Sequence, residues 1–290
     1  MPFVTRFAPS PTGPLHLGHA YSALLAHTMA RTSDGHFLLR IEDIDSTRSR
    51  PQWEQQIYDD LHWLGLTWDG PPIRQSDNLS VYQDALKTLW DQGLLYPCSC
   101  TRRDILAATS APQEGAEPAY GPDGLIYPGT CRNAPRGPTS PMPDHQTLRL
   151  DMAAAAGILG PEMTLSFTET GQTNTPQTIT FTPQTLVNEV GDLVLSRRDF
   201  LGSYHLCVVL DDAAQSITHV VRGRDIFDAT QIHVLLQHLL NLPTPLYHHH
   251  ALIRDEQGKR LAKRDNARSI ATYREQGVTA QQVRAMIGLA

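Results

Sequence analysis

Two histidines three residues apart, His16 and His19 in the run HLGH, are the first side chains whose types and spacing could do chemistry. Residues at i and i+3 of a helix share a face, so both imidazoles can meet one ligand. They follow a run that reads as strand then loop, and they open a run that reads as helix. A helix start offers unpaired N–H groups and a positive dipole end to phosphate. Gly18 between them leaves room for a flat base against the backbone. Far downstream, KRLAKR (Lys259 to Arg264) follows the turn signal Gln257-Gly258. A basic loop there can close over phosphates and offset charge that develops during transfer. Separately, these runs could be a pair of surface histidines and an exposed basic turn. Together, one in each half of the chain, they suit a nucleotide site built across a doubly wound sheet.

Three of the four cysteines fall in one region: Cys98, Cys100 and Cys131, with Cys207 remote. The N-terminus lacks the charged start and apolar stretch of a secretory signal, so a disulfide framework is not expected. Cys-x-Cys with a distant partner suits one tetrahedral zinc ion. The fourth ligand is open at this point. Tyr127 lies four residues before Cys131, although a phenol with a pKa near ~10 needs the metal's help to ionise. His145 is the chemical alternative, and reduced thiols in a flexible loop are the plain one. Zinc here would be structural, pinning a segment too poor in apolar residues to fold on itself.

The elements that must position these groups alternate as in an α/β protein. Phe3 to Ala8 reads as a strand, Leu17 to Arg31 as a helix, and His36 to Glu42 as a second strand. Trp53, Ile57, Leu61 and Leu64 mark one helix face; Leu79, Tyr82, Leu86 and Leu89 mark another. From Ala107 to Gln146 proline, glycine and small residues take over and periodicity disappears, as in a loop-rich insertion. Gly171 to Thr182 reads as a surface hairpin or loop. Tyr204 to Leu210 and Ile217 to Arg222 read as strands, Ala229 to Leu240 as a helix, and the last forty residues as a basic loop with two short helices.

The chain has 290 residues, 40% hydrophobic and 19% charged, with a net charge of −6. That balance argues against indiscriminate nucleic-acid binding. Between Arg254 and Arg274, however, seven Lys/Arg face three Asp/Glu, a local +4. No apolar run is long enough for a membrane span. A cytoplasmic monomer is expected, since no long amphipathic helix is left over.

Together the two basic motifs resemble the paired HIGH and KMSKS motifs of class I aminoacyl-tRNA synthetases. RFAPSPTGPLHLGHA, LRIEDIDSTRS, LGLTWDG, SYHLCVVLDD, THVVRGRD and GKRLAKRDNA narrow the resemblance to glutamyl-tRNA synthetase, in collinear order along nearly the whole chain. The resemblance implies an α/β fold: a Rossmann-like catalytic domain with a zinc-containing insertion and a short helical C-terminal segment. The expected division is 1–97 and 186–253 for the two catalytic halves, 98–185 for the insertion, and 254–290 for the KMSKS-like loop and helices. It also implies ATP contacts at His16, Gly18, His19, Arg260 and Lys263, with His16, His19 and Lys263 catalytic. For glutamate it implies Arg6, Ala8, Ser10, Glu42, Tyr204 and Arg222, with Glu42 receiving the α-ammonium group and Arg222 gripping a carboxylate. The physics agrees, because arginine pairs bidentately with carboxylates. The competing reading is that Arg6 and Arg222 pair with acids such as Asp43 or Asp225.

Two departures matter. The family's KLSKR stands here as Arg260-Leu261-Ala262-Lys263-Arg264, losing a hydroxyl worth about 1 kcal/mol net. Val208, four after Tyr204, stands where many glutamyl-tRNA synthetases carry asparagine. The chain ends 26 residues after Arg264, so no anticodon-binding domain is expected. The bare catalytic core, Val208 and the Cys-x-Cys…Tyr-x-x-x-Cys pattern, whose YPGTC favours Tyr127 as zinc ligand, resemble the glutamyl-queuosine tRNA(Asp) synthetase family. That resemblance implies ATP with Mg²⁺ and L-glutamate as substrates, activation without tRNA, and transfer to queuosine in the anticodon stem-loop of tRNA(Asp). The alternatives are a minimal synthetase charging a tRNA 3′ end, a small-molecule adenylyltransferase, and a non-catalytic tRNA-binding paralogue.

Overall fold

The computed structural model describes residues 2–109, 119–160, 162–173, 175–253 and 268–289. The first half is β1 (Val4–Phe7), α1 (Leu17–Thr32), β2 (His36–Ile41), α2 (Pro51–Trp63), β3 (Ile73–Arg74) and α3 (Leu79–Asp91). These three strands are parallel, with Val4 opposite His36 and Arg40 opposite Ile73. Parallel strands are covered on both faces, which is why β1 and most of β2 are buried. α1 turns Ala20, Ala23, Leu24, Ala26 and Ala30 inward. Its small residues let it lie close on the strands.

Next come β4 (Leu95–Cys98), α4 (Arg102–Thr109), β5 (Tyr120–Gly121), β6 (Gly124–Leu125), β7 (Thr147–Leu150), α5 (Met152–Leu159), β8 (Leu165–Glu169), β9 (Gln177–Phe181), α6 (Pro183–Glu189) and β10 (Leu193–Ser196). The chain closes with α7 (Tyr204–Ala214), β11 (His219–Gly223), α8 (Thr230–Leu239), β12 (Leu246–His250), α9 (Ile270–Glu275) and α10 (Ala280–Met286).

β11 pairs with β12 in parallel, and β12 takes β8 and its antiparallel partner β9 on its other side. β1 lies beside the start of β11: Thr218 N–H donates to Val4 O at 2.9 Å, and Val4 N–H to Thr218 Oγ1 at 2.8 Å. From that seam the chain builds outward in opposite directions. This is the topological switch point at which doubly wound sheets bind ligands, outside the carboxyl ends of the strands.

The sheets do not divide at residue 185. β8 and β9 hydrogen-bond onto the central sheet, while β10, later in sequence, pairs with β7, and β7 with β4. The expected insertion and second catalytic half therefore interleave. The stretch 171–182 is half of a hairpin whose first strand starts earlier, at Leu165. Tyr204–Leu210 is corrected from strand to helix. Ser203 caps α7 through its side chain, and every residue from His205 to Asp212 is buried. A helix buried all round shows no polar face, so its apolar run mimics a buried strand.

The two C-terminal helices are present. Ser269 bridges back to His16, and Ile270 N–H donates to Leu15 O at 2.8 Å. The basic loop between β12 and α9 lies outside the described residues. Among the described residues no helix is long and apolar enough to cross a membrane.

Gly35 closes the turn from α1 into β2, where a Cβ would sit 2.3 Å from Phe3 O. Gly35→Ala is expected to lower stability in urea titration by about 1–3 kcal/mol through overpacking. Gly157→Ala, in α5 with nothing within 4 Å, is expected to be neutral or stabilising.

Candidate active site

His16 is the N-cap of α1, in the role serine or aspartate usually takes. Its Nδ1 accepts from Gly18 N–H at 3.1 Å, and His19 Nδ1 accepts from His16 N–H at 3.1 Å. The rings lie 3.8 Å apart at 33°. With both Nδ1 atoms accepting, the proton of each neutral ring sits on Nε2. Each histidine is thereby an N–H donor, the form a phosphate oxygen needs. A Cβ on Gly18 would lie 3.0 Å from His16 Cε1, so the glycine makes room first for that ring. Because Ser269 bridges to His16, the chain re-emerges from the basic loop beside this helix start. Arg260 and Lys263 lie outside the described residues.

Beneath the cleft is a buried charged network. Arg6, from β1, makes a two-point pair with Asp212 of α7: Nε to Oδ1 at 2.8 Å and Nη2 to Oδ2 at 3.1 Å. Arg40, from β2 and 0% exposed, donates to Asp212 Oδ1 at 2.7 Å and to Gln215 Oε1 at 2.9 Å, and reaches Glu42 Oε1 at 3.4 Å. Burial works against Asp212's charge, but Arg6 and Arg40 outweigh it and hold this carboxyl below its ordinary range. For Glu42 burial wins over Arg40 and Arg6, and its pKa is raised. Asp211 accepts from Gln75 at 2.9 Å and Tyr82 at 2.8 Å, with Arg40 Nε 3.7 Å away. Asp43 holds Ser76.

Arg222, at the end of β11, is held differently. Its Nε donates to His249 Nε2 at 3.0 Å, Nη1 to His233 Nδ1 at 3.0 Å, and Nη2 to Thr230 Oγ1 at 2.8 Å. A weaker reach to Ile226 O is 3.5 Å. Among the described residues no carboxylate pairs with it, Asp225 included. Both imidazoles must be neutral to accept. Burial and the adjacent guanidinium hold His249 down at about 4 and His233 well below its ordinary value.

Tyr204 stands at the start of α7, 38% exposed to the cleft, with its ring edge-on to His205 and His233. The surrounding protein raises its hydroxyl pKa, while Arg222 and Arg6 pull it down and Glu42 pushes it up. Tyr204 and Arg222 thus meet at the His233 ring, which Tyr204 faces edge-on and Arg222 holds by a hydrogen bond. Ala8 and Ser10 lie on the loop leaving β1, which Glu42 N–H anchors through Pro9 O at 3.0 Å. Val208 is 2% exposed in the core, one turn beyond Tyr204. Arg40, Asp212, Thr230, His233, His249 and Glu169 were not legible as site residues. The acidic pair in VVLDD and the run of three histidines, His248 to His250, were the available signals.

The Sγ atoms of Cys98, Cys100 and Cys131 lie within 4.8 Å of one another. Tyr127, 3% exposed, sets its hydroxyl 3.4 Å from Cys98 Sγ and 3.3 Å from Cys100 Sγ, and accepts from Cys131 N–H at 2.9 Å. Cys100 and Cys131 sulfurs are 3.5 Å apart, close to the roughly 3.7 Å edge of a tetrahedron with metal–sulfur bonds of about 2.3 Å. Burial raises Cys131, but hydrogen bonds from Tyr127, Ser99 N–H and the other two thiols bring it to about 6, near the ligating thiolate. His145 lies instead in a separate cleft with Arg197 and Arg198. The residues present fit one tetrahedral ion with Tyr127 as fourth donor.

A helix start capped by two histidines at a switch point, with a buried charged network on the neighbouring strands, suits a phosphate-bearing ligand. The family model for class I tRNA synthetases (E and Q), catalytic domain, matches residues 2–121 and 168–290, and the chain belongs to that family. It is 58% identical over 287 residues to the glutamyl-Q tRNA(Asp) synthetase of Rhodobacter capsulatus, covering 99% of this chain and 100% of that one. It is 41% identical to the glutamyl-Q tRNA(Asp) synthetase of Symbiobacterium thermophilum, over 96% of this chain and 83% of that one. Among solved structures, a glutamate tRNA ligase from Elizabethkingia meningosepticum, in complex with its amino acid, superposes with a TM-score of 0.72 at 27% identity. The match covers 95% of this chain but 58% of that one. Mycobacterium tuberculosis methionyl-tRNA synthetase shares the fold, with a TM-score of 0.62 at 13% identity.

Arg40→Met would leave Asp212 with one partner and remove the nearest cation from Glu42. It is expected to destabilise by roughly 3–5 kcal/mol in denaturant titration, because breaking a buried ion pair leaves an uncompensated charge. Arg40→Lys is expected to recover only part of that loss, since a compact ammonium cannot span acceptors that a guanidinium reaches from two separate nitrogens.

Proposed function

We propose that this protein activates L-glutamate with ATP and transfers the glutamyl group to queuosine in tRNA(Asp). The observation that carries the amino-acid choice is Arg222: a buried guanidinium whose hydrogen-bond partners are all uncharged, one of them the His233 ring that Tyr204 faces edge-on. A substrate side-chain carboxylate can supply its missing counter-charge. Glu42 takes the α-ammonium group, whose charge offsets the burial that raises the Glu42 pKa. The choice of acceptor rests on the 58% identity to a glutamyl-Q tRNA(Asp) synthetase along that protein's whole length.

In the first step a glutamate α-carboxylate oxygen attacks the α-phosphorus of ATP. The bond to the β-phosphate oxygen breaks, giving glutamyl-adenylate and pyrophosphate. His16 and His19 donate from Nε2 to phosphate oxygens, and Lys263 and Arg260 add positive charge from the basic loop. Mg²⁺ accompanying ATP screens the phosphates. In the second step a queuosine hydroxyl attacks the glutamyl carbonyl, the anhydride bond breaks, AMP leaves, and the hydroxyl proton passes to solvent. Positioning and an activated leaving group drive this step. One Zn²⁺ on Cys98, Cys100, Cys131 and Tyr127 braces the insertion without entering the chemistry.

Labelled glutamate and ATP offered to tRNA(Asp) with queuosine, tRNA(Asp) without it, and tRNA(Glu) test the proposal, each with the 3′ diol intact or blocked. The expected product is labelled queuosine-containing tRNA(Asp) alone, surviving the 3′ block. Label on tRNA(Glu) that disappears with the block would make the chain a minimal synthetase instead.

Metal analysis tests the brace. About one zinc per chain is expected, the number one tetrahedral Cys₃Tyr site holds. Chelation should lower the melting temperature while glutamate-dependent pyrophosphate exchange persists below the new melting point. Zinc-free protein with an unchanged melting temperature under chelation would reduce the cluster to plain thiols.

A further inference from the structure

Arg6 and Arg222 are both buried, and the protein treats their charges in opposite ways. Arg6 lies on Asp212 with two hydrogen bonds of 2.8 and 3.1 Å, a direct ion pair. Arg222 touches two imidazoles and a hydroxyl. A carboxylate does stand behind each imidazole. On one side His249 Nδ1 meets Glu169 Oε2 at 2.5 Å. On the other, His233 Nε2 meets His205 Nδ1 at 3.1 Å, and His205 Nε2 meets Asp123 Oδ1 at 3.2 Å.

Hydrogen directions along both paths are fixed, because a guanidinium can only donate. Arg222 Nε–H points to His249 Nε2, so Nδ1 carries the ring proton and donates to Glu169. Arg222 Nη1–H points to His233 Nδ1, so His233 Nε2 donates to His205, and His205 Nε2 to Asp123. Each ring passes on a hydrogen bond while holding a carboxylate at a distance, one ring away for Glu169 and two for Asp123. Glu169 is fixed where it stands, since its Oε1 accepts from Gly171 N–H at 2.7 Å and His249 N–H at 3.1 Å.

A carboxylate and its amide have nearly the same shape, so a pocket separates glutamate from glutamine by charge. A guanidinium already paired with an acid offers little net charge to a substrate. One held by neutral acceptors in a poorly solvated pocket keeps its charge. We infer that His249, together with His233 and Thr230, forms a charge-neutral cradle that sets acid-over-amide selection, with His249 as the spacer that keeps Glu169 off Arg222. These three are positioning residues: they act on the substrate through Arg222. The inference rests on the reading above that Arg222 receives the glutamate side chain.

Thr230 allows a test at nearly constant size. It is the first residue of α8, where a negative charge is tolerated by the helix dipole. Thr230→Asp puts a carboxylate directly on Arg222, and Thr230→Asn puts a neutral amide there. The readout is pyrophosphate exchange driven by glutamate or by glutamine, resolved into kcat and KM, with folding checked by thermal melting. Thr230→Asn should keep the preference for glutamate. Thr230→Asp should lose roughly 100-fold of it relative to Thr230→Asn, through a higher KM for glutamate rather than a lower kcat.

If Thr230→Asp does not fold, His249→Glu with Glu169→Gln moves the same negative charge from the far side of the ring onto Arg222 at constant net charge, and the same loss is expected. A folded Thr230→Asp or double variant that still prefers glutamate as strongly as Thr230→Asn overturns the cradle. Arg222→Gln, assayed alongside, separates the two levels. An unchanged KM for glutamate there overturns the assignment of Arg222 and the cradle with it. A large increase in KM, beside a Thr230→Asp that keeps its preference, overturns the cradle alone.

Discussion

Asp212 held between Arg6 and Arg40 is the interaction on which the site depends. The three residues come from α7, β1 and β2, so one carboxylate ties the elements on both sides of the switch point. All three are buried, and such a charge is tolerated only when its partners satisfy it. Two guanidiniums on one carboxylate leave an excess of positive charge, which Glu42 and Asp211 offset from the edges. Burial raises the Glu42 pKa even so, against the pull of Arg40 and Arg6. In the proposed reaction a zwitterionic amino acid completes this charge pattern.

The phosphate side follows a different logic. The first turn of a helix carries N–H groups with no intrahelical acceptor, and α1 covers them with its own two histidines. In the proposed reaction, capping and phosphate recognition fall to the same residues, used through opposite ring nitrogens. Nδ1 accepts from the backbone, which puts the ring proton on Nε2. Gly18 matters because any side chain there would push against the His16 ring. The return of the chain to His16 at Ser269 then places the end of the basic loop at the same helix start.

Much of this was legible in the sequence where a residue's role is local. HLGH could be read because a strand, a loop and a helix run surround it within thirty residues. Cys98, Cys100, Tyr127 and Cys131 could be read because metal spacing is a short-range pattern, and the structure gathers those side chains into one cluster. What failed was long-range pairing. Asp212 reaches Arg6 across 206 positions and Glu169 reaches His249 across 80, and no periodicity reports such partners. Helix α7 failed for a related reason: burial on every side erased the polar face that marks a helix. The acids weighed as partners for the two arginines, Asp43 and Asp225, were those near in sequence. The fold supplied Asp212 to Arg6 and neutral acceptors to Arg222.

The cysteine cluster makes the complementary point about stability. Apart from its cysteines, the apolar group around it consists of Tyr96 and Tyr127 with Ile105 packed against them, too little surface to order the loops it joins. Polar links do the work instead. Arg149 stacks 3.9 Å over the Tyr127 ring, donates to Cys98 Sγ at 3.3 Å and reaches Asp192 O at 3.2 Å. Asp192 in turn accepts from Tyr96, Arg132 and the Met152 N–H at the start of α5. The cluster is thus fastened to β4, β7, α5 and the approach to β10 at once. The family model leaves residues 122–167 unmatched, a span that includes Tyr127, Cys131 and Arg149. That is where sequence can diverge without moving the catalytic floor, because this region is held by its own network and not by Asp212.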